Sequence, residues 1–233
     1  MSIGAVVFDL FGTLVPEFPL RAWEGMFEGM ARALGADASS FRREWDATIV
    51  ERQTGGFQTV EDNVRAICGR LGLVPTNAQV AGALEVRDAL YAERFRPQPG
   101  AVETLTWLRE RGYATALVSM CAPDAPALWR ASPLGGLVEV LVFSCEVGLR
   151  KPDPAIYLAA SGGMGVDPAE CLYVGDGSNR ELTGAAAVGM RPVRIVDPTE
   201  DVEMLRPNPD DWTGAEIRSL GEVRDLLEGA GSV

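Results

Sequence analysis

The sequence predicts an α/β fold, in which a doubly wound and mostly parallel sheet carries an inserted bundle of α-helices. Two observations predict this class. From residue 98 onward, short β-branched segments alternate with helical segments, which is typical of a parallel sheet with helices on both faces. Residues 16–97 show only the three- and four-residue apolar spacing of helices, so we expect an all-helical insertion after the first strand.

This change of pattern divides the chain into two expected domains. Residues 1–15 and 98–233 would form the sheet-containing core, and residues 16–97 would form a helical cap domain. Residues 97–100 contain two prolines and a glycine, which is typical of a linker at such a boundary. Because the insertion follows the first strand, we expect it to cover the carboxyl edge of the sheet as a lid.

The insertion is expected to hold four helices joined by short connections, as in an antiparallel bundle. Gly35 would close the first helix, and Ser39 or Ser40 would cap the second. The predicted helices span about residues 20–34, 40–54, 59–72 and 76–91.

The core is expected to begin with a strand at residues 5–8, a short apolar run typical of a buried parallel strand. Further strands and helices then alternate, and an edge strand with a closing helix ends the pattern. The further predicted strands span residues 113–119, 138–143, 171–175, 192–196 and 215–220. The predicted helices of the core span residues 101–111, 124–131, 153–161, 179–188 and 221–228.

The chain is strongly acidic, and this argues against two classes of partner. Its formal net charge is -12 and its pI is about 4.5, so its far field repels nucleic acids and anionic membranes. The sequence has neither a leader pattern nor a run approaching the ~20 apolar residues of a spanning helix. We therefore expect a cytoplasmic monomer or homodimer that holds any anionic small molecule with local cations.

Histidine is absent, and this limits the groups available for acid–base chemistry. Proton transfer near neutral pH must come from carboxylates, from lysine or from a metal-bound water. The four cysteines are scattered without a CxxC pair, so we expect reduced thiols and no zinc site. Lys151 is the only lysine among 21 basic residues, which hints at a site that needs a compact charge.

Polar residues follow the ends of several predicted strands. Asp9 follows the first strand, Ser119 ends another, and Asp176 follows a third with Glu181 five residues further on. Because the carboxyl ends of parallel strands meet at one edge, these side chains could converge on Asp9, together with Lys151. Taken singly, each also has an ordinary role as a turn, cap or surface residue.

Taken together and in this order, the motifs resemble those of the haloacid dehalogenase-like (HAD) hydrolase superfamily, in its subfamily with a helical cap. The resemblance covers nearly the whole chain and implies a Rossmann-like core. The segments similar to the four motifs are residues 8–14 (FDLFGTL), Ser119, residues 151–154 (KPDP), and residues 174–181 (VGDGSNRE) with the following glycines.

The resemblance implies a role for each motif residue. Asp9 would be the nucleophile that forms an aspartyl-phosphate intermediate, with Thr13 as a catalytic residue of the same motif. Lys151 would neutralise the phosphoryl oxygens and keep Asp9 ionised. Ser119 and the backbone N–H of Met120 would donate hydrogen bonds to the same oxygens.

The resemblance also implies a Mg²⁺ site made of oxygen ligands, which suit that hard cation. Asp9 and Asp176 would supply carboxylates, and Phe11 would supply its backbone carbonyl. Glu181 would bind through a water or orient its neighbours. Acids gathered around Asp9 without a cation would raise its pKa and weaken the nucleophile.

Two residues depart from the phosphatase pattern. Phe11 stands where phosphatases of the superfamily usually carry a second Asp, their general acid and base, and its side chain transfers no proton. Met120 follows Ser119 in the second motif, at a position where members of the superfamily often have Asn. The departure at Phe11 leaves three explanations open, namely a leaving group that needs little protonation, a cap residue or water that supplies the proton, or a slow reaction.

The expected function is therefore a Mg²⁺-dependent phosphatase of a small phosphorylated metabolite, with two alternatives. A 2-haloacid dehalogenase needs no metal and lacks the second Asp, and Lys151 and Tyr157 fit it. Dehalogenases, however, resemble Ser-Ser-Asn where this chain has Gly-Asp-Gly at residues 175–177, which favours the phosphatase. The second alternative is a catalytically weak relative that binds a phosphometabolite or a protein.

The sequence does not identify the substrate. In the predicted cap, Arg52 precedes the Gly55-Gly56 turn and is one candidate for binding an anionic group of the substrate. Arg21 is a second candidate. A single arginine on a helix is usually exposed to solvent, so both assignments depend on where the fold places these side chains.

Overall fold

The computed structural model describes residues 2–196 and 208–229, and its centre is a sheet of six parallel strands. The strands are β1 (Ala5–Phe8), β2 (Ala114–Ser119), β3 (Val140–Phe143), β4 (Cys171–Gly175), β5 (Arg191–Ile195) and β6 (Glu216–Ile217). Their order across the sheet is β3-β2-β1-β4-β5-β6. Every pairing is parallel, so the predicted α/β class is confirmed.

β1 occupies the middle of the sheet because all four of its residues are apolar and fully buried. Phe8 pairs with Leu117 of β2 on one side and with Val174 of β4 on the other. The chain winds away from β1 in both directions, so ligands are expected at the crevice beyond the ends of β1 and β4. Asp9, the first residue after β1, lies at this crevice.

Five helices, rather than the expected four, lie within residues 16–97, all of which the structure describes. They are α1 (Leu20–Leu34), α2 (Ala38–Ala47), α3 (Ile49–Gln53), α4 (Val60–Arg70) and α5 (Asn77–Arg94). Four of them, α1, α2, α4 and α5, pack around an apolar cluster of their own, which includes Met30, Phe41 and Ile67. We call these five helices the insertion helices.

The prediction of one helix over residues 40–54 is wrong in two respects. The segment breaks at Thr48, whose hydroxyl donates to the Trp45 carbonyl at 3.0 Å and so competes with backbone hydrogen bonding. The helix is capped by Asp37 instead of Ser39 or Ser40, because the Asp37 carboxylate accepts the Ser40 N–H at 2.9 Å.

Among the described residues, six further helices belong to the sheet-containing part of the chain. They are α6 (Ala101–Glu110), α7 (Ala125–Ala131), α8 (Ser144–Val147), α9 (Pro154–Met164), α10 (Glu181–Ala187) and α11 (Glu222–Gly229). Along β1, Val6 and Phe8 join an apolar cluster with Leu105 of α6, whereas Val7 joins a cluster with Ile156 of α9. Because alternate side chains point to opposite faces, helices cover both faces of the sheet.

The remaining differences from prediction are local. The α8 turn was not predicted, and β6 is shorter than residues 215–220. α10 begins at Glu181 instead of residue 179, because Asn179 and Arg180 have left-handed φ values of 56° and 55°. The predicted core range also contains residues 197–207 and 230–233, which lie outside the described residues. Within the described part of the chain, no helix combines the length and the apolar character needed to cross a membrane.

Arg87 of α5 ties the insertion helices to the rest of the fold. Its Nε lies 2.8 Å from Oδ2 of Asp124, and its Nη2 lies 3.1 Å from Oδ1 of the same carboxylate. Nη2 also donates to the Tyr91 hydroxyl at 2.9 Å. Asp124 directly precedes α7. This two-pronged ion pair, with Arg87 only 1% exposed, fixes the position of α5 beside the segment that follows β2.

Candidate active site

Asp9 is held in place by the backbone around it. Its N–H donates to the Val174 carbonyl at 2.9 Å, which continues the pairing of β1 with β4 by one residue. The chain then turns sharply, because the Leu10 carbonyl accepts the N–H groups of Leu14 and Val15, both at 2.9 Å. Asp9 is only 7% exposed, so its carboxylate sits in a sheltered position at the sheet edge.

Lys151 bridges two of the predicted site carboxylates. Its Nζ donates to Oδ1 of Asp9 at 2.5 Å and to Oε2 of Glu181 at 2.6 Å. Burial alone would lower the pKa of this ammonium, but the two carboxylates raise it above its ordinary value. The only lysine of the chain is therefore a buried, charged group in contact with Asp9.

Asp176 and Glu181 are oriented by the turn that follows β4. The Ser178 N–H donates to Oδ1 of Asp176 and the Ser178 hydroxyl donates to Oδ2, both at 2.8 Å. Glu181 accepts the Gly177 N–H at 3.0 Å and the Tyr173 hydroxyl at 2.7 Å. The left-handed residues before α10 produce this turn, so the irregular start of α10 brings both carboxylates to the sheet edge.

The three carboxylates form a cluster that suits a divalent cation. One oxygen each of Asp9, Asp176 and Glu181 lies within 4.8 Å of the others, and all three residues are buried. Burial raises the pKa of Asp9 and of Glu181, Lys151 opposes the rise in both cases, and Asp176 adds to it. Three buried carboxylates against one ammonium leave excess negative charge, which a cation with hard oxygen ligands would neutralise.

The turn after Asp9 leaves room for Asp176 only because residue 12 is glycine. Gly12 has φ +79°, and a Cβ atom at this position would lie 2.7 Å from Oδ2 of Asp176. The Phe11 carbonyl, in the same turn, accepts none of the turn and loop backbone hydrogen bonds found in the described residues. These contacts fit the oxygen donor set expected for a cation at this edge.

A cleft of about 180 Å³ lies between the sheet edge and the insertion helices. Asp9, Met120 and Lys151 line it from the sheet side. The insertion contributes aromatic and cationic residues, namely Trp23, Phe27, Arg42, Trp45, Arg52, Arg87 and Tyr91. The cleft thus combines a polar floor with a mainly aromatic roof, as expected for a small-molecule site.

Arg52 lines the cleft, whereas Arg21 is exposed at the start of α1 and is not among the lining residues. Arg52 is 5% exposed, and its Nη1 donates to the Trp45 carbonyl, the Thr48 hydroxyl and Oδ1 of Asn63, each at 3.0 Å. These acceptors are neutral. Burial and the neighbouring Arg87 lower the pKa of Arg52 to about 10, so the guanidinium is still charged at neutral pH.

Phe11 forms part of the cleft wall and also packs against the insertion. Its ring meets those of Phe18, Tyr91 and Phe95 edge to face, with centroid separations of 5.9, 6.4 and 5.9 Å. The side chain at this position therefore joins the Asp9 turn to α5 and to the segment before α1. This packing role explains why an aromatic residue is stable at this position.

Ser119 and Thr13 are fully buried beside the cleft and do not line it. Ser119 ends β2, and the next residue, Met120, is the one that faces the cleft. The Thr13 hydroxyl has no hydrogen-bond partner among the residues that the structure describes. The structure thus brings Asp9, Lys151, Asp176 and Glu181 into one cluster and places these two hydroxyl residues at its edge.

Sequence reasoning missed several residues of the cleft. Glu17 lines it from the segment between β1 and α1, and Trp45 and Arg87 line it from the insertion helices. Glu17 belongs to no motif and lies in a segment without helical periodicity, so its sequence context carries no functional signal. From the sequence alone, Trp45 is expected to be an ordinary core residue and Arg87 an ordinary surface residue. Only the tertiary fold brings both side chains to the cleft.

Comparisons with known proteins agree with this geometry. A family model described as haloacid dehalogenase-like hydrolase matches residues 3–189. The chain is 29% identical to the glyceraldehyde 3-phosphate phosphatase of Methanopyrus kandleri over 97% of both chains. It is 34% identical to (S)-2-haloacid dehalogenase 4A of Burkholderia cepacia over 97% of this chain and 95% of that one. A solved structure of a HAD phosphatase from Thermococcus onnurineus is similar, with a TM-score of 0.65 and 25% identity over 98% of this chain and 99% of that one.

The first prediction concerns the space that Gly12 leaves for Asp176. Gly12→Ala should weaken Mg²⁺ binding at least about tenfold, because the new Cβ displaces a carboxylate of the cluster. Gly72→Ala is the matched control, since Gly72 also has a positive φ of +71° but has open space around it. Titration calorimetry measures the affinity, and urea unfolding measures stability.

Both variants should lose about 1–2 kcal/mol of unfolding free energy from left-handed backbone strain. Only Gly12→Ala should lose affinity for the cation. Equal Mg²⁺ affinities in wild type, Gly12→Ala and Gly72→Ala would show that Asp176 takes no part in a cation site.

Proposed function

The chain belongs to the haloacid dehalogenase-like hydrolase family, and we propose that it is a Mg²⁺-dependent phosphatase of small phosphorylated metabolites. The observation that carries the proposal is the position of Asp176 in one buried cluster with Asp9 and Glu181. A nucleophilic carboxylate beside two further acids needs a cation to stay ionised. Displacement at phosphorus, where oxygen charge develops, benefits from such a cation.

Asp9, Asp176 and the Phe11 carbonyl would hold Mg²⁺, and Glu181 would orient its surroundings. The oxygen-only donor set fits this ion. When bound, Mg²⁺ supplies positive charge that neutralises the carboxylates and the phosphoryl oxygens. Glu181 accepts hydrogen bonds from Lys151, Tyr173 and Gly177. These bonds support a positioning role for Glu181 more than a direct ligand role.

In the proposed reaction Asp9 attacks the phosphorus atom and releases the alcohol. The aspartyl phosphate is then hydrolysed by water, which frees Asp9 and inorganic phosphate. Lys151 contacts the attacking carboxylate and would then stabilise the negative charge that develops on the phosphoryl oxygens. The Met120 N–H, on the cleft wall, would donate to these oxygens, and Ser119 would donate from the edge of the cleft, with Thr13 supporting the turn that carries Asp9.

A 2-haloacid dehalogenase is the second candidate, and two observations favour it. Phe11 offers no proton to a leaving group, and a halide leaves without one. The 34%-identical relative from Burkholderia cepacia also carries this activity in its name. Attack at carbon develops no charge on phosphoryl oxygens, however, and gives no reason to gather Asp176 and Glu181 around Asp9. The carboxylate cluster therefore supports the phosphatase.

We propose that the substrate carries a second anionic group, which Arg52 binds. None of the ion pairs formed among residues 2–196 and 208–229 includes Arg52, whereas Arg87 is paired with Asp124. A buried cation with only neutral partners is poorly compensated, so an anion in the cleft would stabilise it. The small cleft fits a metabolite of a few carbon atoms.

We further propose that residues 16–97 act as a cap domain over a core made of residues 1–15 and 98–233. The insertion helices have an apolar cluster of their own and line the cleft together with Asp9, which supports this division. We propose that the enzyme works in the cytoplasm as a monomer or homodimer, since its four cysteines are free thiols.

The function is tested by a substrate screen with and without Mg²⁺, using glyceraldehyde 3-phosphate, phosphoglycolate and 2-chloropropionate. We expect phosphate release only with Mg²⁺ and its loss on addition of EDTA. Asp9→Asn should abolish turnover without changing the circular dichroism spectrum, because the amide is isosteric but not nucleophilic. Halide release in EDTA, or phosphate release that survives in Asp9→Asn, would contradict the proposal.

The role of Arg52 is tested with a pair of esters that differ in one carboxylate. Arg52→Met should raise KM for phosphoglycolate by about 10- to 100-fold, the value of one or two charged hydrogen bonds, and leave KM for ethyl phosphate nearly unchanged. Arg70→Met on α4 is the control, since Arg70 is exposed and pairs with Glu51. An equal rise in KM for both esters would mean that Arg52 only supports the cap structure.

A further inference from the structure

Four carboxylates of the described residues line the cleft, and two of them are already engaged in the cluster around Lys151. They are Asp9, Glu17, Asp46 and Glu181. Asp9 is the nucleophile of the proposed function, and Glu181 accepts hydrogen bonds from Lys151, Tyr173 and Gly177. Neither has a proton to give to a leaving group. Because the Phe11 side chain cannot donate a proton to the leaving group, another group in the cleft must supply it.

Asp46 and Tyr91 are poor sources of this proton. Asp46 forms an ion pair with Arg42 at 2.8 Å, and its side chain is 55% exposed, so it is engaged by a cation and open to solvent. The Tyr91 hydroxyl accepts a hydrogen bond from Arg87, and burial raises the pKa of Tyr91 to about 12. Glu17 is therefore the one acid among the described cleft residues to which no other role has been assigned.

Glu17 is held beside Phe11 by its own backbone. Its Oε1 accepts the Phe18 N–H at 2.9 Å, and the Phe18 ring packs edge to face on Phe11. The carboxyl group is thus fixed in the same wall of the cleft as the residue that replaces the usual acid.

The environment of Glu17 favours the protonated form. Burial raises its pKa to about 8, and the nearby carboxylates of Asp176 and Asp9 add to the rise, although the Phe18 N–H and Trp23 oppose it. A carboxylic acid with a pKa close to the working pH is suited to give and take a proton within one catalytic cycle.

We propose that Glu17 is the general acid and base of this enzyme, in place of the aspartate that Phe11 excludes. This inference rests on the phosphatase function proposed above. The signal for it is geometric, since Glu17 is the one uncommitted carboxyl group among the described residues that face the cleft beside Asp9.

The proton balance is simple. As Asp9 attacks phosphorus and the bond from phosphorus to the ester oxygen breaks, Glu17 donates its proton to that oxygen, and the neutral alcohol leaves. Glu17 is then a carboxylate. It takes a proton from the water that attacks the aspartyl phosphate, the bond between phosphorus and Asp9 breaks, and Glu17 is again protonated when phosphate leaves.

The test compares Glu17→Gln with wild type on glyceraldehyde 3-phosphate and on p-nitrophenyl phosphate. The variant should lose about 10²-fold or more in kcat/KM for the alkyl ester, whose alkoxide needs a proton. It should keep nearly all of kcat/KM for p-nitrophenyl phosphate, whose phenolate leaves unaided. Because water attack also loses its base, p-nitrophenol should appear in a burst of one equivalent per enzyme, followed by slow turnover.

Glu24→Gln is the matched control, since Glu24 is an exposed glutamate of α1 that does not line the cleft. It should behave as wild type with both esters. Equal losses with both esters and no burst would assign Glu17 a structural role and overturn the inference. A wild-type enzyme without Mg²⁺-dependent phosphate release would instead overturn the proposed function, so the two failures are distinguishable.

A separate observation concerns two cysteines that follow the neighbouring strands β2 and β3. The Sγ atoms of Cys121 and Cys145 lie 3.6 Å apart, although both are free thiols. Cys121 lines the cleft next to Met120, and Cys145 lies in α8 after β3 and is partly exposed. The Cys121 thiol is a hydrogen-bond partner that lowers the pKa of Cys145, whereas burial raises the pKa of Cys121.

We infer that Cys121 and Cys145 form a redox-sensitive pair that reacts with a peroxide. The Cys145 thiolate would attack one peroxide oxygen, giving a sulfenic acid and hydroxide. The Cys121 thiol would then attack the sulfenic sulfur and expel water, leaving a disulfide. A disulfide bond is about 2.0 Å long, so the two sulfurs must approach by more than 1 Å, which would shift the cleft segment containing Met120.

Hydrogen peroxide treatment followed by peptide mass mapping tests this pair. We expect a cross-linked peptide of Cys121 and Cys145, a loss of activity of up to about 10²-fold from the displaced segment, and recovery with dithiothreitol. Cys145→Ser should resist the treatment, and Cys171→Ser, on β4, should respond as wild type. Absence of the cross-link, or equal inactivation of Cys145→Ser, would overturn the inference.

Discussion

The site depends on the contact of one ammonium group with two carboxylates. Lys151 lies 2.5 Å from Asp9 and 2.6 Å from Glu181, with its side chain 2% exposed. A buried charge is stable only when it is paired and hydrogen-bonded, so this contact requires β1, the loop before α9 and the turn before α10 to meet at one point. The parallel register of β1 with β4 and the left-handed turn at Asn179 satisfy that requirement.

Much of the fold could be predicted because its determinants are local. The buried apolar runs of the strands and the helix starts near residues 59 and 76 are visible in the sequence, and α4 and α5 do begin directly after Thr59 and Thr76. The break at Thr48 could not be predicted, since it depends on which carbonyl the side chain reaches. The convergence of Asp9, Lys151 and Asp176 followed from strand topology and the motif resemblance. Glu17 was missed because its role depends on its distance from Asp9 in space, which no sequence period encodes.

The insertion supplies the side of the cleft that lies opposite the sheet edge. The ion pair of Arg87 with Asp124 fixes α5, and Tyr91 of the same helix packs on Phe11. These contacts hold the helices whose aromatic residues and Arg52 line the cleft across from Asp9. The phenylalanine that interrupts the phosphatase pattern is therefore part of the packing between the two regions, and in the mechanism we propose Glu17 takes over the proton transfer.

The most direct test of the account is to find where oxygen from water enters during turnover. Wild-type enzyme is given glyceraldehyde 3-phosphate and Mg²⁺ in isotopically heavy-oxygen water, and both products and the Asp9 peptide are weighed by mass spectrometry. Attack of Asp9 on phosphorus predicts heavy oxygen in the released phosphate, an unlabelled Asp9 carboxylate and an acid-quenched phosphopeptide. Heavy oxygen in the Asp9 carboxylate after turnover of 2-chloropropionate, with no phosphopeptide, would contradict it and identify the reaction as displacement at carbon.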